Sequence, residues 1–227
     1  MDRLYIKKSE IWGALIMFAL HVVLFPVLLS ILVIVKPDML SDTQLNLMYY
    51  CVSFALTFLL LGKFLRRNFD SLLDNPWGSL KAFAIGWGIY FVLAIIVGVI
   101  MQATGLTDDN PNNEAINGML EQERGMVIAM TVCLAPVVEE CIFRGGIFAG
   151  IYRKNRVIAY IVSIVLFSLY HVWQYAFAYG ELRYLLLALS YVPASFALCW
   201  AYENSGSIWT SIFFHMSFNL YALAASF

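Results

Sequence analysis

Long apolar runs separated by short polar ones dominate the chain. Stretches of the roughly 20 mostly apolar residues that a helix needs to cross a bilayer recur over 11–35, 45–62, 82–103, 125–150, 157–179, 184–202 and 207–226. The pattern predicts an all-α, polytopic transmembrane helix bundle of about seven spans. The first run is too long, and too poor in a small-residue cleavage site, to be a signal peptide, and it reads as a retained helix. No internal repeat or low-complexity tract interrupts the pattern.

Composition agrees. Of 227 residues, 62% are apolar and 13% charged, whereas an ordinary soluble domain carries about 25% charge. So little charge cannot coat a globule with polar surface, which excludes a soluble enzyme or a disordered chain. A net charge of −1 provides no basic field for nucleic acid. Cys51, Cys133, Cys141 and Cys199 all lie in apolar runs, with no CxxC or Cys/His ligand spacing. Buried, unpaired thiols are expected.

Charge placement orients the bundle. With the N-terminus inside, the inner segments hold Arg3, Lys7, Lys8, Lys63, Arg66, Arg67, Lys81, Arg153, Lys154 and Arg156, and the outer ones only Lys36, Arg124 and Arg183. By the positive-inside bias this predicts a multi-pass cell-membrane protein, N-terminus cytoplasmic and C-terminus outside. The basic stretch 63–81, with Phe69 and Trp77, reads as a cytoplasmic interfacial segment. The acidic, Asn-rich stretch 104–124 reads as a solvated outer loop with a short helix after Pro111. Trp12, Trp77, Trp173 and Trp209 fall near span ends, where aromatic side chains anchor.

Ionisable groups inside hydrocarbon are costly and mark function. Here they are His21, Glu139, Glu140, Arg144, His171 and His215, joined by the amide of Asn219. On a helix Glu140 and Arg144, four apart, share a face, while Glu139 lies about 100° round. Glu140 is therefore expected to hold Arg144, leaving Glu139 to face another helix. His215 and Asn219 also share a face. Counted at about 1.5 Å per residue from the cytoplasmic end, Glu139 lies about 17 Å deep, His171 about 21 Å, His215 about 12 Å and Asn219 about 18 Å. Three helices thus bring polar groups to one level, as an intramembrane site requires. His21 has no polar companion at helical spacing and reads as structural. Pro136 is expected to kink its helix beside Glu139, Gly145, Gly146 and Gly150 to permit close helix packing, and Pro193 to kink a neighbour.

The chemistry that fits is water activation. Ser168 and Ser217 have no evident base and are expected to bond their own helix backbone. A carboxylate with two imidazoles leaves two routes open. Glu139, His171 and His215 would hold a divalent metal such as zinc, whose bound water ionises near pH 7 (about 7). Alternatively, without metal, Glu139 and His171 would serve as general base and His215 and Asn219 as oxyanion donors. Both routes hydrolyse an amide.

The sequence resembles the CAAX protease and bacteriocin-processing family, also called Abi, which includes the type II CAAX prenyl endopeptidase. The family's EExxxR, FxxxH and HxxxN/D motifs stand here as Glu139-Glu140-xxx-Arg144, Phe167-xxx-His171 and His215-xxx-Asn219. The resemblance covers about 125–226 of a single integral membrane domain, 1–227, with 1–124 contributing N-terminal spans and loops. It implies a polar catalytic cavity within the bilayer and intramembrane peptide hydrolysis. By motif position Glu139 and His171 activate water, His215 and Asn219 complete the site, and Glu140 and Arg144 support it. The partners implied are the lipid bilayer and a membrane-associated peptide or protein substrate, cut near the cytoplasmic half of the bilayer. The alternative reading is a non-catalytic membrane binding protein, such as a bacteriocin immunity factor or a regulator of a sensor protein. A proton-coupled transporter would call for inverted repeats, which are not seen.

Overall fold

The computed structural model describes residues 4–36, 39–106 and 110–225. Arg3 lies outside them. Among the described residues the chain is helical throughout, and its segments follow the apolar runs: α1 Lys8–Val35, α2 Asp42–Asp74, α3 Pro76–Ala103, α4 Pro111–Tyr152, α5 Arg156–Tyr170, α6 Trp173–Tyr179, α7 Leu182–Ser205 and α8 Ile208–Ala224. Five of them (α1 to α4 and α7) are long and apolar enough to cross a membrane. Helices α5 and α6, bent by 42° at their break, together make a sixth such unit. Helix α8 has 17 residues, about 26 Å of rise, just short of a typical hydrocarbon core.

Local chemistry sets the helix starts. Ser41 accepts from the Gln44 amide, and Gln44 reaches back to Ser41, closing a capping box. Asn75-Pro76 and Asn110-Pro111 each place a capping amide before a proline whose missing N–H costs nothing in a first turn. Gly206, at φ +72°, ends α7 in the left-handed conformation that glycine adopts freely.

One expected linker is instead helical, and a second holds a longer helix than expected. Only Asn75 separates α2 from α3, so most of 63–81 extends two long helices. The helix expected after Pro111 is present, but it continues as α4 into the fourth span across a kink at Glu123 (φ −139°, ψ 57°). Polar composition suggested loops, but a capped helix that continues an apolar one is already nucleated and elongates through polar residues. Pro193 marks where a 3-10 segment, Leu182–Tyr191, becomes α-helix.

The bundle is apolar outside, and small polar side chains are buried among its apolar core. Leu59, Ile95 and Ile34 are exposed on its outer surface, whereas Ser53, Thr57, Ser163, Ser195 and Ser211 are buried. This is the arrangement a lipid-facing surface calls for. Helix α4 packs closely on α1 and α2 at its glycines: a Cβ on Gly146 would stand 2.3 Å from Ala14 Cβ of α1, and one on Gly145 3.1 Å from the Phe64 ring of α2. All four cysteines are free, as expected, but Cys51 and Cys133 are exposed rather than buried. Trp12 and Trp77 are exposed, as anchors should be. Trp209 instead donates to the Leu65 carbonyl, and Trp173 lines a cavity. One end of the bundle is tied by ion pairs, Arg67 to Glu10 and Arg156 to Glu203.

Candidate active site

Four helices build the site. Glu139 and Glu140 stand on α4 between two π-helical stretches, Ala129–Leu134 and Cys141–Phe148. His171 lies in the break after α5, His215 and Asn219 lie on α8, and α2 brings Tyr50. Glu139, His171, His215 and Asn219 all line one cavity of about 950 Å³. It runs from Glu139 to the end of the bundle where α1 ends and α2 and α4 begin, with Ile34, Asp42 and Asn117 along it. Ser168 and Ser217 do not line it. Ser217 bonds the Phe214 carbonyl, as expected of a helix serine, while the buried Ser168 hydroxyl makes no bond.

The two adjacent carboxylates have different surroundings. Glu140 is fully buried, accepts from Arg144 Nη1 at 2.9 Å and Ser211 Oγ at 2.6 Å, and meets His215 Nδ1 at 2.9 Å. Arg144, also fully buried, donates onward to the Ser195 hydroxyl and carbonyl and lies 4.1 Å over the Phe167 ring. A buried ion pair needs such additional bonds to offset desolvation. Glu139 has no cation beside it. Its Oε1 accepts from the Tyr50 hydroxyl at 3.4 Å, and its Oε2 stands 3.9 Å from Nε2 of both His171 and His215.

Second bonds orient both histidines. His171 Nδ1 donates to the Phe167 carbonyl at 2.8 Å, and its ring stacks on Tyr191, 4.3 Å between centroids. Tyr191 in turn accepts from the amides of Asn110 and Asn112. The Phe-xxx-His spacing thus works through the backbone, since His171 caps the carbonyl four residues back. His215 is held by Glu140. In each case Nε2 is left facing Glu139.

Asn219 lines the cavity and donates from Nδ2 to the Thr131 carbonyl at 2.8 Å. Pro136 explains that bond. The Ala135 amide bonds back five residues to Met130. The next amide in that π-helical ladder would serve Thr131, but proline has none.

The donor set of two imidazoles and a carboxylate suits zinc in kind. A tetrahedral ion with bonds of about 2.0–2.1 Å sets its donors about 3.4 Å apart, closer than the 3.9 Å seen here. Among the described residues no three His, Cys, Asp or Glu side chains form a metal-holding group.

Tyr50, Tyr170 and Tyr191 were absent from the residues singled out by sequence. A mid-membrane tyrosine hydroxyl needs a partner much as a histidine does, so their position in apolar runs was a usable signal.

This geometry can be set beside known proteins. Residues 122–221 match the family model described as "Type II CAAX prenyl endopeptidase Rce1-like". The matched segment begins within α4 and ends within α8, and so contains all three motifs. "Putative membrane peptidase YdiL" of Bacillus subtilis (strain 168) is 26% identical over 179 residues, 76% of this chain and 68% of that one. "UPF0177 protein YvdC" of Lactococcus lactis subsp. lactis (strain IL1403) is 22% identical over 183 residues, 80% of this chain and 66% of that one. "UPF0177 protein YxdF" of the same strain is 27% identical over 152 residues, 66% of this chain and 79% of that one. The chain thus spans about two thirds of the length of the first two. No solved structure matches it.

Proposed function

We propose that the protein is an intramembrane endopeptidase that hydrolyses a peptide bond with a water activated by Glu139 and His171. One observation carries this reading: Glu139 Oε2 faces Nε2 of both His171 and His215 at 3.9 Å inside a cavity. A water oxygen about 2.8 Å from the carboxylate and from one imidazole bridges such a gap at close to a right angle (about 90°).

The reaction balances without a cofactor. Glu139 takes a proton from the water as its oxygen attacks the scissile carbonyl carbon, and His171 Nε2 holds that water in line. The carbonyl oxygen becomes an oxyanion. The second amide proton of Asn219 is available to it, and so is His215, which donates from Nε2 when protonated there. Collapse of the intermediate breaks the C–N bond, and the proton on Glu139 passes to the leaving amine. Glu140 and Arg144 touch neither water nor substrate. They hold His215 and the fold of α4.

The cavity reaches Glu139 from the end of the bundle opposite the basic segments. With the N-terminus in the cytoplasm, that entrance faces outward. A membrane-associated peptide would then enter from the outer side, not from the cytoplasmic half of the bilayer.

The test compares peptides in membranes and medium of cells expressing wild type or Glu139→Gln at matched levels, by mass spectrometry. A product found only with wild type supports the reading and identifies the bond. Identical peptides, with any cellular phenotype intact in the variant, would move the assignment to a binding protein.

A further inference from the structure

Outside the motifs, one buried ionisable group is bonded toward the site from a different helix. His21 lies in the π-helical stretch Leu20–Leu24 of α1 and is wholly buried. Its Nδ1 is 3.0 Å from Ser53 Oγ and its Nε2 2.9 Å from Tyr170 Oη. Tyr170 Oη is 3.4 Å from Tyr50 Oη, and Tyr50 donates to Glu139 Oε1 at 3.4 Å. The ring is also clamped. Tyr49 stacks on it at 4.6 Å, and the Tyr49 hydroxyl donates to the His21 carbonyl at 2.8 Å. That carbonyl is free because Phe25 bonds back five residues to Leu20 and the following residue is Pro26.

We infer that His21 is a positioning residue for Glu139, acting through Tyr170 and Tyr50. A hydroxyl has one proton to donate. Once Tyr50 gives its proton to Glu139, its oxygen must accept from Tyr170. Tyr170 must then accept from His21 Nε2–H, and His21 Nδ1 from Ser53. Every donor in the chain points toward Glu139 Oε1. With Oε1 so held, Oε2 is the oxygen that faces His171 and His215. One tautomer of His21, with the proton on Nε2, is compatible with this direction. His171 requires the opposite one, because its Nδ1 donates to Phe167.

The inference rests on Glu139 being the base of the proposed peptidase, and its test has one arm independent of activity. Protein labelled with ¹⁵N-histidine in bilayers has three histidines to assign. Solid-state NMR should find His21 protonated on Nε2 alone. The side-chain ¹³C signal of Glu139, identified by its loss in Glu139→Gln, should shift in His21→Phe and in Tyr50→Phe. It should return toward the wild-type position in His21→Gln, whose amide nitrogen donates where Nε2 did. For turnover of the Glu139-dependent product, His21→Phe should lower kcat by ~10- to ~100-fold, the cost of a misplaced catalytic group, with KM unchanged and with partial recovery in His21→Gln. A proton on Nδ1 of His21, or a Glu139 signal indifferent to His21→Phe, overturns the inference. If the NMR coupling holds but no Glu139-dependent product exists, positioning stands and the peptidase assignment fails.

Discussion

At the scale of single residues, two neighbouring carboxylates are assigned different work by their contacts. Glu140 is saturated by Arg144, Ser211 and His215, whereas Glu139 is bonded only through Oε1. Substitution should separate them. Glu139→Gln should abolish cleavage, a loss of ~100-fold or more as expected for removing a general base, while the protein remains as stable as wild type. Glu140→Gln removes the counter-charge of the wholly buried Arg144, leaving an unpaired cation, and should cost roughly 3–5 kcal/mol of stability. Activity assays and denaturant titration of the reconstituted variants check both. Since the proposed route assigns no step to a metal, cleavage should survive incubation with a strong chelator such as EDTA or 1,10-phenanthroline, and loss that zinc restores would refute that route. The adjacency of the two glutamates, and the pairing of the second with Arg144, could be read from helical spacing. The tyrosines that hold the first could not be paired by spacing, because their partners are on other helices.

At the scale of elements, the same device occurs twice. A π-helical turn followed by proline leaves one carbonyl without a donor, and a side chain from another helix supplies it: Tyr49 for His21, and Asn219 for Thr131. Proline therefore does more here than kink a helix. It creates an acceptor that ties α1 to α2 and α4 to α8. Asn219→Leu should destabilise the protein by roughly 1 kcal/mol, the cost of a part-buried acceptor that loses its donor. In a Pro136→Ala background, where a backbone N–H is returned, the same change should cost much less. A double-mutant cycle of unfolding free energies measures that coupling. The glycine contact of α1 with α4 allows a second cycle. Gly146→Ala pushes a Cβ to within 2.3 Å of Ala14 Cβ and should cost roughly 1–3 kcal/mol by overpacking. Ala14→Gly should restore most of it. Neither π-helical turn was foreseen, since nothing in local composition distinguishes a five-residue from a four-residue backbone bond. The break at His171 has no proline or glycine to announce it either.

At the scale of the whole molecule, the basic segments and the cavity entrance lie at opposite ends. An N-in topology then predicts that an exposed cysteine at Asn117, beside the entrance, reacts with an impermeant maleimide from outside intact cells. One at Lys154 should react only after permeabilisation. Cys51 and Cys133, being exposed, must first be replaced. The reverse labelling would place the entrance in the cytoplasm. The seven expected spans became eight helices among the described residues, of which five, or six with the bent pair α5 and α6, are long and apolar enough to cross a membrane. The all-helical class, the lipid-facing character of the bundle and the membership of Glu139, His171, His215 and Asn219 in one polar layer were determined by the sequence itself. Hydrophobic period, charge bias and residue spacing are local quantities, and each of those features depends only on them. The tertiary structure alone decided which oxygen of Glu139 faces the histidines and which ring nitrogens are tied back. It also showed that Asn219 serves a carbonyl orphaned by proline, and that His21, expected to be merely structural, is bonded toward the site. Those facts depend on contacts between helices far apart in the chain, and a hydrogen bond across a bundle leaves no period in the sequence to read.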